Sequence, residues 1–433
     1  METILHINLL ARKENKIKTY CKSVNIADRS LISKATYDCL KDKYTRRDVL
    51  RLFSSLSSLS EDEIFYIYHR GNNSGKVTSW RFSGKTALRF LVEEVIDKLQ
   101  TDIILQDIKF KPIEYCDRVD RSNGKLRHIG IQDVYQQICD YVAVYGLEDI
   151  FRRFGEFQCA SIKGRGQSYG IRAIKKWSRK NEGFKYFGKA DVRHCFESID
   201  IDILLNWMNK RVKNDLLMWL VEKLLRTFEQ GLSIGSYLSQ HLCNLFMSIL
   251  YHFLSEDESM FCGRREKKDH IIDHVLFYMD DIFLSGNNKK HIKKAMRLLC
   301  KKAKEVGLTI KATWFVRDMD KDKFVDMMGV KIYRTHVEIR KCVWKRIRRC
   351  MIKINELLRL GKIIPISLSQ KFLSYYGLLK NTDSVFAMTK YKVKKLLKAT
   401  KGVVRNESKN RCKARYCPVS SSWRYGLYSP LCA

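Results

Sequence analysis

The spacing of apolar residues along this chain changes period several times, and the changes predict its elements. Up to about residue 95, Leu, Ile and Phe recur at helical spacing among Lys and Arg, as in DVLRLFSSL and TALRFLVEEVIDKL, which predicts a mainly helical block. From Lys109 to Ile131 the pattern turns to two short alternating runs around Arg121-Ser122-Asn123-Gly124, and Asn-Gly between such runs predicts a hairpin. Asp133 to Phe154 reads as one long amphipathic helix. Tyr186 to Ala190 is strand-like, Asp191 ends it, and a helix begins near His194. Residues 203–228 form a helical pair rich in Leu and Trp, and Gly231 to Leu245 leads through small and polar residues into another helix. From His274 to Ser285, HVLFYMDDIFLS, two apolar runs flank Asp280 and Asp281, which predicts two buried strands joined by an Asp-Asp turn. Beyond it come an amphipathic helix over Lys289 to Val306, a strand starting at Gly307 to Ile310, and a strand DMMGVKIY (Asp326 to Tyr333) interrupted by Gly329. Basic helices follow over Ile339 to Leu360, SQKFLSYYGLLKN and KYKVKKLLKATK, and the tail from about Asn406 has no assignable pattern.

With 433 residues, 45% of them hydrophobic, the chain is globular with room for two or three subdomains. Its 82 Lys and Arg against 47 Asp and Glu give +35, spread along the whole length. Such an excess predicts a surface shaped to lie along a polyanion, with nucleic acid ahead of a membrane surface. There is no apolar run of about 18 residues, no signal peptide and no lipidation box, so a cytoplasmic protein is expected. Fourteen cysteines are scattered without a CxxC, and Cys139, Cys195, Cys243 and Cys300 have core-like neighbours, so reduced thiols are expected. Cys412, Cys417 and Cys432 lack a fourth ligand at zinc spacing.

The chemistry concentrates on acids. Burying Asp280 and Asp281 among Val, Leu, Phe and Ile costs several kcal/mol per charge unless a cation sits there, so the hairpin predicts a hard divalent metal. Asp191, ending a strand elsewhere, supplies a third carboxylate able to bridge two Mg²⁺ ions for in-line phosphoryl or nucleotidyl displacement. Alone, Asp191 reads as a helix cap and the Asp pair as a solvated turn; the pairing gives them weight. Arg121, Lys125 and Arg127 stand where a hairpin flap could close over an anion, or are simply solvated. Arg165 sits between glycines that allow close approach to phosphate. Phe196 is placed to lie under a bound sugar, Gly235 to admit a base or template backbone, and Ser239 and Gln240 to meet a template strand. Their plainer roles are core, turn and cap. GNNSGK, Gly71 to Lys76, is one residue short of a phosphate loop and reads as a loop.

In this order the pieces resemble a prokaryotic reverse transcriptase of the group II intron-like lineage, over roughly residues 110–395. RSNGKLRHIGI is similar to the fingers motif in which Arg121 and Arg127 hold the incoming triphosphate, and SIKGRGQSYGIRAI to the next fingers block. KADVRHCFESI resembles the palm motif carrying the first metal aspartate, with Phe196 excluding a ribose 2′-hydroxyl. YMDD resembles the polymerase box, DMMGVKIY the primer grip, and SYYGLLKN part of the thumb. The resemblance implies an α+β right-hand polymerase with fingers (96–184), a ferredoxin-like palm with an antiparallel sheet (185–337), a helical thumb (338–405), a helical N-terminal extension (1–95) and a tail (406–433). It implies RNA-directed DNA polymerase activity with two Mg²⁺ ions, Mn²⁺ able to substitute, on Asp191, Asp280, Asp281 and the Val192 backbone carbonyl. Deoxynucleotides would meet Arg121, Lys125, Arg127, Phe196, Ile234 and Gly235. Template and primer would meet Arg165, Ser239, Gln240, Tyr278, Met279, Gly329, Lys345, Arg346 and Arg349. The implied partners are an RNA template, which a dedicated noncoding RNA could supply, a DNA product, and an accessory protein or a second copy; no membrane is implied.

One departure stands out. Where the intron-type motif has Gln-Gly followed by Ser-Pro, this chain has Ile234-Gly235 and then Ser239-Gln240. That substitution is similar to the error-prone reverse transcriptases of diversity-generating retroelements, and related sequences occur among defence-associated bacterial reverse transcriptases. The competing expectation from another class is a polymerase-shaped RNA-binding protein without catalysis.

Overall fold

Short polar side chains start several of the helices. Asp28, Asp133, Asp200, Asn214, Ser236 and Asn288 each accept a hydrogen bond from a backbone N–H of the first turn that follows. The computed structural model describes residues 17–44, 46–66, 79–119, 124, 126–180, 184–263 and 269–414. The GNNSGK loop, Cys417 and Cys432 fall outside them. The chain divides into two compact units, residues 1–173 with 180–321, and residues 174–179 with 322–433.

The first unit opens with helices α1 (Arg29–Leu40), α2 (Arg47–Leu56) and α3 (Ser79–Ile104). Their buried faces share one core with the elements that follow, so this block is no separate appendage. Arg29 pairs with Glu93 and Asp97 on α3, which runs through the 95/96 boundary expected from the sequence. The hairpin β1 (Glu114–Val119) and β2 (Leu126–Ile131) follows, antiparallel as expected. Next, α4 (Val134–Gly146) is shorter than the helix expected to Phe154, and a single 3₁₀ turn occupies Ile150–Arg153. The apolar period persists across this break because Ile150 is buried and Phe151 stacks on Phe154.

β3 (Gln158–Cys159) and α5 (Gln167–Arg179) lead to β4 (Tyr186–Asp191). Helices α6 (Cys195–Ser198), α7 (Ile201–Asn209), α8 (Asp215–Leu225) and α9 (Tyr237–Glu256) fill the stretch before the small ribbon β5 (Phe261–Cys262) and β6 (Asp269–His270). Then come β7 (His274–Tyr278), β8 (Asp281–Gly286), α10 (Lys289–Glu305), β9 (Phe315–Asp318) and the short α11 (Met319–Asp322). The central sheet runs β3-β7-β8-β4-β9. Its pairs are antiparallel except β3 with β7, so the sheet expected to be antiparallel is mixed. The strand expected from Gly307 is only a bridge between Ile310 and Val192; the true edge strand starts at Phe315.

Strands alternate their faces, so Phe187, Lys189, Asp191, Tyr278, Asp281 and Phe283 share one face of this sheet. Gly188, Ala190, Ile282, Leu284 and Gly286 share the other, against which α10 packs. A Cβ at Gly188 would lie 3.1 Å from both Ile292 and Met296 of α10, so glycine lets that helix settle on the sheet.

The second unit holds β10 (Phe324–Met327), β11 (Val330–Tyr333) and β12 (Val337–Ile339) in one antiparallel sheet. DMMGVKIY is therefore a hairpin, not one interrupted strand: Met327 faces Val330, and Met328 (φ 53°) with Gly329 (φ 78°) makes the turn. Helices α12 (Lys341–Arg359), α13 (Ile366–Lys380), α14 (Val385–Lys390) and α15 (Val393–Ala414) follow, α12, α13 and α15 contributing Ile347, Met351, Ile354, Phe372, Leu379 and Leu396 to a second core. The Asp383 carboxylate accepts from the Val337 N–H at 2.7 Å and from Lys175 of α5 at 2.8 Å. The expected 337/338 boundary thus cuts β12. Among the described residues no helix is long and apolar enough to cross a membrane, and the described cysteines that can be judged are free thiols.

Candidate active site

The β7–β8 hairpin pairs down to Tyr278 opposite Asp281, which leaves Met279 and Asp280 as the two turn residues. The Asp-Asp turn expected from the sequence is thus shifted by one, and Asp281 belongs to the strand. Met279 takes φ 53°, a left-handed conformation that hairpin turns of this length demand and that Asn or Gly usually supplies. Its N–H donates to the Cys159 carbonyl at 3.3 Å, which ties the turn to β3.

Asp191 lies directly opposite Asp281 across β4 and β8, and the Val192 N–H donates to the Asp280 carbonyl at 3.1 Å. The bonds around the Val192–Ile310 bridge run from Arg193 N–H to Thr309 and from Lys311 N–H to Asp191. Val192 therefore directs its own N–H and carbonyl to the other side, toward the turn. The sheet thus sets Asp191 opposite Asp281 and beside the turn that holds Asp280.

Two lysines answer them. Lys311 pairs with Asp191 Oδ1, and Lys189, on the same face, lies 3.1 Å from Asp281 Oδ1. Burial first, and the charge of Asp191 second, push the Asp280 carboxyl above the ordinary carboxylate range, against the smaller opposing effect of Lys311. Asp191 Oδ1 is buried and accepts no hydrogen bond, its partner being the Lys311 ammonium alone. Among the described residues no three His, Cys, Asp or Glu side chains form a ready metal cage. What stands here is a repelling, half-buried pair, Asp191 and Asp280, with Asp191 engaged by Lys311 and Asp281 by Lys189. Three carboxylates against two lysines leave hard oxygen donors with negative charge in excess, which fits a divalent cation such as Mg²⁺.

The nucleotide-side residues fare differently. Phe196 sits half-buried in α6, its carbonyl accepting from Leu232 N–H at 2.9 Å. Gly231 (φ 54°) presses on this helix: a Cβ there would stand 2.5 Å from the Glu197 carbonyl oxygen and 2.7 Å from that of Phe196. Only a glycine at 231 therefore lets the chain lie this close to the backbone of the Phe196 helix. Ile234 and Gly235 form a turn closed by Ser236 N–H to Ser233 O at 3.3 Å. A Cβ on Gly235 would lie 2.5 Å from the Gly130 carbonyl oxygen, so the close approach predicted for a base or template is taken by β2.

Ser239 and Gln240 likewise meet protein rather than an open template surface. Ser239 is buried; its Oγ accepts from Ser233 N–H at 3.3 Å and its N–H donates to Ser236 Oγ at 3.0 Å. Gln240 Oε1 accepts from the Ser161 hydroxyl at 2.9 Å. Arg165 donates from Nη1 to the Gly155 carbonyl at 2.6 Å, holding its own loop closed in place of a phosphate. Arg121 and Lys125 lie outside the described residues. Arg127 is exposed on β2, directly across from Arg118.

Sequence reasoning missed the residue that organises this region. Asp140, fully buried on α4, accepts from Ser236 Oγ at 2.7 Å, Leu238 N–H at 3.3 Å and Gln132 Nε2 at 3.2 Å. Burial pushes its carboxyl up to about 6, against the pull of those donors. The signal was present: Asp140, between Cys139 and Tyr141, is the one charged residue of α4. In the second unit, the Gly329 carbonyl accepts from Arg340 N–H at 3.2 Å, and Lys345, Arg346 and Arg349 lie on the exposed face of α12.

Residues 118–332 match the family model described as reverse transcriptase (RNA-dependent DNA polymerase). The chain is 24% identical over 257 residues to the putative COX1/OXI3 intron 2 protein of Saccharomyces cerevisiae, covering 57% of this chain and 29% of that protein. It is 23% identical over 226 residues to the group II intron-encoded protein LtrA of Lactococcus lactis subsp. cremoris, covering 49% of this chain and 37% of that one. The chain thus spans about a third of the length of these relatives. The matched residues contain β4 with Asp191 and the whole β7–β8 hairpin. The stretch that holds Asp191, Asp280 and Asp281 is therefore similar in sequence to reverse transcriptases and to part of a group II intron-encoded protein.

Proposed function

We propose that this protein is an RNA-directed DNA polymerase that copies an RNA template into cDNA. The observation that carries the reading is the convergence of Asp191, at the end of a strand, and Asp280, in a turn distant in sequence, into a repelling pair inside the family match. Two Mg²⁺ ions, or Mn²⁺ in their place, would rest on Asp191, Asp280, Asp281 and the Val192 carbonyl, activating a primer 3′-hydroxyl and neutralising the triphosphate. Lys189 and Lys311 hold the same carboxylates until then.

The other roles belong to the chain's own groups. Arg127, with Arg121 and Lys125 on the same hairpin, would clamp the triphosphate with charge-assisted hydrogen bonds. Phe196 would stand under the sugar and exclude a 2′-hydroxyl, and Ile234, beside Gly235, would border the nascent base pair. Tyr278 and Met279 would border the primer end, with Gly329 shaping the primer grip. Lys345, Arg346 and Arg349 would hold the duplex by its phosphates, with affinity falling steeply as salt rises.

We place the enzyme in bacterial antiphage defence, in the cytoplasm, copying a dedicated noncoding RNA with an accessory protein or a second copy. The long helical block ahead of the fingers hairpin supports this role. The error-prone enzyme of a diversity-generating retroelement is the second reading, supported by Ile234 before Gly235 and by Ser239-Gln240 after it. The test is primer extension on an RNA template with dNTPs and Mg²⁺, which Asp280→Ala should abolish. RNA binding with no extension by the unaltered protein would establish a non-catalytic RNA-binding protein in its place. Sequencing copurifying nucleic acid separates the two biological roles.

A further inference from the structure

Helix α10 carries eight Lys and Arg and one acid, Glu305, in seventeen residues. Its apolar residues Ile292, Ala295, Met296, Leu299 and Ala303 are buried. Six exposed cations, Lys290, Lys293, Lys294, Arg297, Lys301 and Lys304, recur three or four residues apart. At 100° per residue they fall within an arc of about 100° on the opposite side, a single stripe some 21 Å long at a rise of 1.5 Å.

Three features separate this stripe from an ordinary solvated helix face. Glu305 is already paired with Lys302 at 3.3 Å, and none of the six cations has an acidic partner within ion-pair reach among the described residues. Like charges at three- and four-residue spacing repel, and Lys289 and Lys290 also oppose the helix dipole in the first turn, so the local fold gains nothing from the pattern. Solvated helices ordinarily alternate signs. Finally, the stripe is remote from the carboxylates: α10 packs against the sheet face that carries Gly188 and Gly286, while Asp191 and Asp281 lie on the other.

We infer that the outer stripe of α10 is a second polyanion site, binding the phosphate backbone of a helical segment of RNA outside the stretch being copied. Charge complementarity fixes the class of partner. A membrane-surface helix would need apolar residues beside its cations on the exposed side, and here the apolar residues are spent on the sheet. A stripe of about 21 Å is long enough to meet several phosphates of one backbone. RNA is chosen over DNA through the polymerase reading, and the inference rests on that reading for this choice alone.

The test is RNA binding by the full chain carrying Asp280→Asn, so that polymerisation plays no part. The probe is an RNA hairpin with a stem of about 16 base pairs, a length a double-stranded-RNA module spans. Adding Lys293→Gln, Arg297→Gln and Lys301→Gln is expected to weaken binding about tenfold or more at low salt. The slope of log affinity against log salt should fall by roughly 2 to 3. The same three substitutions in the unaltered active-site background should leave extension of a short primer–template unchanged. An unchanged slope overturns the inference, as does a parallel loss of short-template extension, which would put the stripe in the copying path. Loss of binding to duplex DNA alone overturns the choice of RNA, and loss of binding to anionic vesicles with RNA binding intact would make the surface a membrane site.

Discussion

At the turn from Ser233 to Ser236, the polar groups meet protein partners: Ser236 Oγ donates to Asp140, Ser239 Oγ accepts from Ser233 N–H, and Gly235 abuts the Gly130 carbonyl. At the turn from Tyr278 to Asp281, the protein sets acids against each other, Asp280 against Asp191, and answers with two lysines from outside the turn. Both segments look alike as sequence, short polar stretches between apolar runs. The difference lies in where the compensating charge comes from. Asp140 is satisfied from within by three hydrogen-bond donors and serves the fold, whereas Asp280 is set against the charge of Asp191. A buried acid is thus evidence for binding only when its own protein has not satisfied it.

The largest effect should separate the two acids outright. Asp280→Asn is expected to lower extension by more than the roughly 100-fold that loss of an outer metal partner can cost. Its melting temperature in chelator should be no lower than that of the unaltered protein, because the substitution removes repulsion with Asp191. Primer extension and thermal unfolding measured side by side check this. A melting temperature that drops with activity would place Asp280 in the same structural class as Asp140.

Asp140→Ala should do the reverse, leaving Ser236 Oγ and Leu238 N–H without their acceptor at a cost of about 1–3 kcal/mol each. The pH dependence is specific. With its carboxyl raised from 3.8 to about 6, folded Asp140 keeps a proton that the unfolded chain has released between those values. Its contribution is therefore full below 3.8 and is lost as pH rises through about 6, by up to about 3 kcal/mol. Denaturant unfolding at a series of pH values should show the advantage of the unaltered protein over Asp140→Asn shrinking across that window. A constant gap would mean that the two turns are not distinguished by their electrostatics.

The acidic half of this contrast was legible in the sequence, because adjacent acids between apolar strands conflict with burial wherever the chain folds. Asp191 became legible only through its pairing with them. What stayed hidden depended on partners chosen by tertiary structure. Nothing in GLSIGSYLSQ reveals that Ser239 would turn inward, that Gly235 would meet β2, or that Gly231 would press on the Phe196 helix. Arg165 between glycines reads as a phosphate hook until its guanidinium is seen on the Gly155 carbonyl. Periodicity misled in two places for one reason: apolar spacing continues through a backbone break, at Gly146 on α4 and at Met328-Gly329 between β10 and β11. The basic face of α10 was visible as an amphipathic pattern, but which side of the sheet it covers was not.

The smallest effect tests the one residue of the Ser233–Ser236 turn with an aliphatic side chain. Ile234 is half-buried, and its backbone is fixed by the turn that Asp140 anchors, so Ile234→Gln changes the side chain without moving the chain. Stability should then stay within about 0.5 kcal/mol, as for most substitutions away from packed or paired groups. If this side chain borders the nascent base pair, exchanging a branched aliphatic for an amide that can hydrogen-bond to base edges should shift the misincorporation spectrum by a few-fold, read by sequencing cDNA copied from a defined RNA. An unchanged spectrum with unchanged stability would remove Ile234 from the site. A loss of more than about 1 kcal/mol would instead assign it to packing, and the whole 233–240 segment would then belong to the scaffold, leaving base-pair checking to residues elsewhere in the fingers and palm.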